Sequence, residues 1–178
     1  NISLSISYTS RNIRLSEVNG KDYYFTTKKN FLKLKKQNFF IETAINFNNY
    51  YGSPYDNIKY ARLNKKLLLF DIDWKGARKI RSNYNKEDII DFFILPPSQK
   101  ELKKRLIKRG RDNRKEIKLR LSYALKEMKH YKEYKYVLIN KNVHNTINEI
   151  KKILEYNILL DQNQIKLNKN LKRIINIK

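Results

Sequence analysis

The chain has 178 residues, a formal net charge of +23 at pH 7 and no cysteine. This length suffices for one domain with a substantial core and is too short for two domains of ordinary size. The lack of cysteine excludes disulfides, thiolate catalysis and cysteine-based zinc sites. The longest apolar runs are far too short to span a bilayer, so we expect no membrane partner.

The positive charge has two explanations. A strongly basic chain can bind nucleic acid. Here, however, lysine is spread along the whole chain together with many Asn, Ile, Tyr and Phe residues and only 4 Gly and 3 Pro, as expected from codons biased toward A and T. We favour this second explanation and expect no nucleic-acid partner, although a basic nucleic-acid binder stays open as an alternative function.

The first third of the chain predicts short strands and helices. Residues 2–8, ISLSISY, alternate apolar and polar side chains as a half-buried strand does. Asn19-Gly20 predicts a type I′ hairpin, because both central residues of that turn need positive φ. Helices are predicted next at 28–36 and 55–63, a strand at 39–47 and a turn at 48–54.

From residue 66 the pattern changes to nearly continuous apolar runs, typical of strands covered on both faces. These strands are predicted at 66–73, 91–97 and 136–140. Helices are predicted between them at 76–84, 98–109 and 116–131, and Ser98 with Glu101 forms a capping box. Buried strands alternating with helices predict an α/β fold with a parallel sheet and right-handed crossovers.

The segment 11–64 departs from this alternation. We predict that it forms a small mixed α/β lobe inserted into a core of residues 1–10 and 65–160. The polar, basic stretch 109–120 between two helices predicts a mobile lid. The weakly helical tail is either a last helix or a ragged chain, and we assign it as a basic C-terminal extension over 161–178.

Asp71 and Asp73 follow an apolar strand. In open α/β sheets ligands bind beyond the carboxyl ends of the strands. A carboxylate at such a strand tip can orient Mg²⁺, often through water. The alternative is that these acids only end the strand and cap the next helix.

Arg11 and Arg14 lie beside the predicted hairpin, which carries Tyr23, and Tyr51 lies in the same lobe. Guanidinium groups bind phosphate oxygens in pairs, and phenolic hydroxyls add neutral donors. These four residues therefore predict a phosphate site. The alternative is a solvated basic face.

Glu42 lies in an apolar strand, where a carboxylate is costly unless it meets hydrogen-bond donors. Guanine supplies two such donors, N1–H and N2–H₂, whereas adenine presents the N1 lone pair at the matching edge. A site built on such bonds discriminates by roughly 10⁴ to 10⁵. The alternative for Glu42 is an exposed cross-strand ion pair with a lysine.

The chain resembles the guanylate kinases in five segments, SISYTSRNIRLSEVNGKDYYF, FFIETAINFNNYYGS, LLLFDIDWKGARKIR, FFILPPSQKELKKRLIKRG and YVLIN. They occur in the family's order and spacing over residues 3 to about 155. The resemblance implies transfer of the γ-phosphoryl group of ATP to GMP with Mg²⁺ as cofactor. It also implies a P-loop-type parallel sheet core flanked by helices, with a GMP-binding lobe and a basic lid, and a cytoplasmic location by default.

The resemblance also implies roles for individual residues. Guanine contacts fall on Ser7, Glu42, Ser53 and Asp73. The clamp on the GMP phosphate falls on Arg11, Arg14, Tyr23 and Tyr51. On the ATP side, the arginines that reach the phosphates are Arg105, Arg109 and Arg120. Asn140 would lie near the adenine and Asp71 near Mg²⁺, and Arg11 is placed with the lid arginines and Asp71 in the catalytic set.

Three departures from the family pattern bear on activity. The family's phosphate-binding loop, GxxGxGKS, is expected about two dozen residues before the first strand, so the chain as given is expected to be incomplete for catalysis. Lys75 replaces a usual glutamine, and Arg111 stands where a lid threonine is common. A non-catalytic guanylate-kinase-like module that binds a phosphopeptide therefore stays open as an alternative.

Overall fold

The structure is a computed structural model that describes residues 2–108 and 114–174. The chain divides into two compact units, 1–89 and 90–178. In chain order the first unit contains β1 (Ile2–Leu4), β2 (Tyr8–Thr9), β3 (Tyr24–Phe25), α1 (Lys28–Lys36), β4 (Phe40–Asn46), β5 (Asn49–Pro54), α2 (Tyr55–Leu63), β6 (Leu67–Leu69) and α3 (Trp74–Asn83). The second contains β7 (Phe92–Leu95), α4 (Gln99–Lys108), α5 (Arg114–Met128), β8 (Tyr136–Ile139) and α6 (Val143–Ile174).

The strand predicted over residues 2–8 is split between two sheets of the first unit. Its beginning, β1, pairs in parallel with β6. Its end, β2, belongs to a four-stranded sheet with the order β3-β2-β5-β4, parallel to β3 and antiparallel to β5. Asn57 on α2 stabilises the segment between the two sheets, because its amide donates to Ser5 Oγ (2.9 Å) and to the carbonyl of Ile6 (3.1 Å).

The hairpin predicted at Asn19-Gly20 is wrong. Gly20 has a φ of 79°, but Asn19 does not share the positive φ that a type I′ turn needs, and β3 pairs in parallel with β2. Side chains close this loop instead of strand pairing. Asn19 Oδ1 accepts from the Phe25 amide (2.9 Å) and Asp22 Oδ2 from the Val18 amide (2.8 Å), a use of Asn and Asp that competes with regular structure.

A two-residue hairpin forms at Phe47-Asn48 instead. Both residues have positive φ, 50° and 61°, and the flanking residues Asn46 and Asn49 pair across β4 and β5. Positive φ at both positions gives the twist that a two-residue loop needs between antiparallel strands. The turn predicted over 48–54 is therefore wrong, because that segment is mostly strand β5.

The four-stranded sheet is held by an aromatic cluster and by α1. Phe31 of α1 is fully buried. Its ring stacks on Phe40 and Tyr50, with centroids 4.6 and 5.4 Å away. Thr27 caps the helix by accepting from the Asn30 amide. Both helices predicted in this part of the chain form at the predicted positions.

In the second unit β7 and β8 pair in parallel along their whole length, as predicted. Ser98 Oγ accepts from the Glu101 amide (3.1 Å), so the serine half of the predicted capping box forms. The Glu101 carboxylate binds Arg105 instead (3.0 Å). Of the predicted lid, residues 109–113 lie outside the described part of the chain, and residues 114–120 form the first turns of α5.

The two parallel pairs are less covered than their apolar sequences predicted. Leu67 and Leu69 of β6 are 42% and 53% exposed, and Ile94 of β7 is 48% exposed. The expectation of burial on both faces is wrong for these positions. At β6 the reason is that α2 packs against the strand while alternate side chains point away from the helix. An apolar run thus identified each strand but not how many of its faces are covered.

The weakly periodic tail is helical in the described part of the chain. Helix α6 runs without interruption from Val143 to Ile174, past residue 160, where a separate extension was predicted. Of the two readings left open for the tail, the helix is the one observed. Searched over the described residues, no helix combines the length and apolar character needed to cross a membrane.

Candidate functional site

Glu42 is a buried carboxylate at the centre of the first unit. It lies on β4 next to a register irregularity between Phe40 and Glu42 and is only 4% exposed. Its Oε1 accepts from the Ser53 amide (3.1 Å) and from Ser53 Oγ (2.7 Å). Within the described part of the chain it makes no ion pair with a lysine, so the exposed cross-strand pair considered above is not observed.

A short chain of hydroxyls extends from Glu42. Ser53 Oγ lies 3.1 Å from Ser7 Oγ, and both serines are buried. Burial raises the pKa of Glu42, and the charge of Asp73 raises it further, while the two hydrogen bonds from Ser53 act in the opposite direction. The net increase in the pKa means that the folded protein disfavours the ionised form of this carboxylate.

Asp73 has a defined structural role at the start of α3. Its Oδ1 accepts from the Gly76 amide (2.9 Å) and its Oδ2 from Asn46 Nδ2 (3.0 Å). The capping role that was left open for these acids is therefore observed at Asp73. The next residue, Trp74, is the only tryptophan in the chain, and its ring lies 5.6 Å from Lys75 Nζ and 4.7 Å from the guanidinium carbon of Arg78.

Arg11 is held from several sides. Its Nη1 donates to the carbonyl of Asn12 (2.7 Å) and to Glu17 Oε2 (3.0 Å), and its Nη2 donates to Glu17 Oε1 (2.8 Å). The rings of Tyr23 and Phe25 each lie 5.6 Å from its guanidinium carbon. The side chain is only 13% exposed, so a solvated basic face does not describe it.

The pKa values of this ion pair diverge. The hydrogen bond from Arg11 lowers the pKa of Glu17, and the backbone amide and charge of Arg14 lower it further against the effect of burial. Burial alone would lower the pKa of Arg11, but the hydrogen bond and charge of Glu17 outweigh it and raise the pKa. Both groups are thus firmly charged near neutral pH.

Strand β5 connects the two clusters. Tyr51 and Ser53 are two positions apart and so lie on the same face of the strand. The Tyr51 ring lies 6.1 Å from the Tyr23 ring. Burial raises the pKa of Tyr23, and the charge of Asp71 raises it further, which places this exposed acid within electrostatic reach of the phenol.

The structure thus brings together, within the first unit, the residues that sequence reasoning assigned to GMP. They form two neighbouring groups joined by β5. The carboxylate and serine group consists of Ser7, Glu42, Ser53 and Asp73, and the basic and phenolic group consists of Arg11, Arg14, Tyr23 and Tyr51. Their roles toward a nucleotide stay predictions.

Two of the residues assigned to ATP meet in the second unit. Arg105 Nη2 donates to the backbone carbonyl of Asn140 (2.9 Å). Asn140 Oδ1 is buried, with no hydrogen-bond partner among the described residues, an unusual state for a polar atom. Arg120 is half-buried on α5, and Arg109 lies outside the described residues.

Sequence reasoning missed three residues that shape the site. Glu17 was noted only as part of a motif, yet it binds both Arg11 and the Arg14 amide. Asn46 holds Asp73, and Gly76 leaves room for the Glu42 carboxylate. The Asn-rich run around residue 46 was a signal for the hairpin, but the spacing of these residues gives no hint of the contacts.

Known proteins similar to this chain belong to the same family that the sequence segments resemble. The family model described as guanylate kinase matches residues 1–157. A guanylate kinase of Blochmanniella pennsylvanica is 45% identical over 152 residues, which cover 85% of this chain and 71% of that protein. One of Wigglesworthia glossinidia brevipalpis is 40% identical over 176 residues, covering 98% of this chain and 84% of its own.

The similarity extends to a solved structure. The crystal structure of guanylate kinase from Anaplasma phagocytophilum has a TM-score of 0.74 and 35% identity, and the match covers 87% of this chain and 75% of that one. The predicted α/β fold and the predicted resemblance are both confirmed by these matches. The chain belongs to the guanylate kinase family.

Proposed function

We propose that the protein transfers the γ-phosphoryl group of ATP to GMP, giving ADP and GDP. The observation that carries this proposal is the buried carboxylate of Glu42. Its Oε1 is engaged by Ser53, whereas its Oε2 accepts no hydrogen bond within the described residues. Oε2 is not one of the buried side-chain atoms that lack a partner among the described residues, so it keeps contact with solvent and is open to a bound base. Two N–H groups of such a base would give this largely buried carboxylate the donors that it needs when water is displaced.

Guanine fits this acceptor better than adenine does. The N1–H and N2–H₂ groups of guanine donate to a carboxylate, whereas adenine N1 would bring a lone pair against it. Ser7 and Asp73 add polar groups around the same base position. Because the carboxylate is desolvated, the wrong base leaves it unpaired, and such sites discriminate strongly.

The phosphate of GMP is assigned to the basic and phenolic group. Arg11 presents a fixed fork, Arg14 carries a second guanidinium, and Tyr23 and Tyr51 supply hydroxyl donors. Guanidinium groups match phosphate geometry and stay charged at every working pH. Strand β5 links this group to the base site, so one GMP would contact both.

The ATP side is assigned to the second unit. Arg105, Arg109 and Arg120 would neutralise the ATP phosphates. The Oδ1 of Asn140, which is buried and has no partner within the described part of the chain, offers an acceptor for the adenine amino group. Phosphoryl transfer needs little covalent help from the protein, so positioning and charge neutralisation are the expected sources of rate.

Asp71 is the residue that would hold Mg²⁺. It is an exposed carboxylate just beyond β6. The described residues contain no group of three or more His, Cys, Asp or Glu side chains able to hold a metal. Proteins commonly hold Mg²⁺ by one or two carboxylates together with water and substrate phosphates. Such an ion, when bound, would neutralise phosphate charge.

Calorimetric titration with GMP and AMP tests the base assignment. We expect GMP to bind at least about 100-fold more tightly than AMP. Glu42→Gln should shrink this preference, and Arg14→Ala should weaken the binding of both nucleotides equally. Equal affinities in the unmodified protein, or a preference unchanged in Glu42→Gln, would contradict the assignment.

Phosphorus NMR of a mixture with ATP, Mg²⁺ and GMP tests the transfer step. The appearance of GDP supports the kinase. Selective GMP binding with no GDP formed would assign the chain a binding role without transfer. Tighter binding of a phosphoserine peptide than of GMP would favour the non-catalytic module, and tight, salt-dependent binding of duplex DNA would favour the nucleic-acid binder.

A further inference from the structure

We propose that Glu17 is a positioning residue, which fixes the Arg11 fork and the backbone at Arg14 so that both arginines face the phosphate of GMP. This inference rests on the proposed function, because it assumes that the basic and phenolic group binds the phosphate. It goes beyond that function by giving a role to a carboxylate, a group that by charge alone would repel the substrate.

Both oxygens of Glu17 are engaged by the two arginines. Oε1 accepts from Arg11 Nη2 (2.8 Å), and Oε2 accepts from Arg11 Nη1 (3.0 Å) and from the Arg14 amide (2.9 Å). The Glu17 amide in turn donates to the Arg14 carbonyl (3.0 Å). One carboxylate thus ties a side-chain fork and a backbone turn together.

These contacts leave Arg11 with a defined set of free donors. Both hydrogens of Nη1 are used, one by Asn12 and one by Glu17, and one hydrogen of Nη2 is used by Glu17. Among the described residues, the Nε hydrogen and the second Nη2 hydrogen are not used by these contacts, and the neighbouring Tyr51 hydroxyl contributes to the raised pKa of Arg11. A guanidinium fixed in this way loses little further freedom when a phosphate binds.

The Glu17 carboxylate contacts Arg14 in a different way from Arg11. Its backbone is fixed by Glu17, but its guanidinium lies 3.9 Å from Glu17 Oε1 and its side chain is 36% exposed. Arg11, by contrast, is 13% exposed. The geometry therefore provides one rigid arginine and one that can adjust to the ligand.

A competing role for Glu17 predicts the opposite sign. If the carboxylate merely occupied the place of the phosphate, it would compete with GMP. Arg11, Arg14 and Glu17 together carry +1, and Glu17→Gln raises this to +2, which by Coulomb attraction alone should tighten GMP binding. If Glu17 positions the arginines, the same substitution weakens binding despite the added charge.

The test compares GMP with guanosine, which lacks the phosphate. The ratio of their affinities, measured by calorimetric titration, isolates the phosphate contribution. In Glu17→Gln we expect this ratio to fall about tenfold or more, because charge-assisted hydrogen bonds of this kind are lost. A role in folding alone would lower both affinities equally and leave the ratio unchanged.

Asp22→Asn is the matched control. Asp22 lies in the same loop, is exposed, and accepts from the Val18 amide (2.8 Å). Its substitution changes the net charge by the same amount as Glu17→Gln but leaves the arginines untouched. We expect its ratio to stay within about twofold of the unmodified protein.

The outcomes separate this inference from the function on which it rests. If the unmodified protein binds GMP no better than guanosine, the phosphate assignment itself fails. If it prefers GMP and Glu17→Gln keeps or increases that preference, the positioning role is overturned and competition is supported. Should Glu17→Gln not fold, Glu17→Asp keeps the charge and shortens the reach by one methylene, and an unchanged ratio in that variant would equally overturn the role.

A double-mutant cycle with Arg11→Lys provides a second readout. Lysine keeps the charge of Arg11 but not its fork. Since Glu17 acts through that fork, the two substitutions should not add when combined. Full additivity in the GMP-to-guanosine ratio would contradict the proposal.

Discussion

A Cβ atom on Gly76 would lie 2.9 Å from Oε2 of Glu42 and 3.2 Å from its Cδ. These distances are shorter than van der Waals contact, so the close approach of α3 to the Glu42 carboxylate depends on the absence of a side chain. Ile72, 3.3 Å from the same point, limits the room for a shift. Gly76 therefore sets where Glu42 can lie.

We expect Gly76→Ala to displace the Glu42 carboxylate and to reduce the preference for GMP over AMP about tenfold or more, because a shift of this size breaks aligned hydrogen bonds. Calorimetric titration with both nucleotides measures the change. Gly20→Ala is the control, since at its φ of 79° alanine is strained by about 1–2 kcal/mol, and among the described residues its Cβ would meet the Tyr24 ring (3.6 Å) and not Glu42. An unchanged GMP preference in Gly76→Ala would show that Glu42 adjusts freely.

The raised pKa of Glu42 predicts a stability cost that depends on pH. Above the ordinary glutamate pKa of about 4.3, the unfolded chain loses this proton before the folded chain does. The free energy of unfolding therefore falls as pH rises from there to the folded pKa and is constant above it. Glu42→Gln removes the titrating group, so its stability relative to the unmodified protein should increase over that window.

Urea unfolding of both proteins from pH 4 to pH 8 measures this difference. The subtraction is needed because Glu17, with its lowered pKa, contributes stability that is lost on acidification. Guanosine affinity should rise over the same window in the unmodified protein and stay flat in Glu42→Gln, since the ionised carboxylate is the proposed acceptor for the base. A difference curve without pH dependence would mean that the ionisation of Glu42 is unperturbed.

Asp73 combines a structural role with a predicted contact to guanine, and two substitutions separate them. Asparagine is as good an N-cap as aspartate, whereas alanine lacks the capping oxygen. We expect Asp73→Ala to lower the free energy of unfolding by about 1 kcal/mol and to weaken GMP binding. Asp73→Asn should weaken GMP binding, while the stability measured by urea unfolding should be nearly unchanged. GMP affinity retained in Asp73→Asn would leave capping as the only role.

Much of the site could be predicted because its residues occur in long sequence segments with a definite order. The buried position of Glu42 followed from its apolar neighbours. The proximity of Arg11 to Tyr23 followed from their closeness in sequence. The pairing of Glu42 with Ser53 could not be predicted, because it depends on the register of β4 against β5, and that register is set by the turn at Phe47-Asn48.

The errors in the fold have one physical source. Alternation and turn propensity describe local preference, and tertiary contacts decide between competing signals. Asn19-Gly20 has the stronger hairpin signature, yet its loop is closed by Asn19 and Asp22 side chains, while Phe47 adopts positive φ despite its bulk. Likewise, period-two alternation over residues 2–8 does not reveal that the two halves pair with different sheets.

Trp74 gives the protein a built-in optical reporter. It is the only tryptophan, so emission excited at the red edge of indole absorption comes from one place, the residue directly after Asp73. The cations of Lys75 and Arg78 lie beside its ring, and indole emission responds to the field of nearby charge. If the carboxylate and serine group binds the base as proposed, nucleotide binding there can be followed by fluorescence in the unlabelled chain, and every substitution named above leaves this reporter in place.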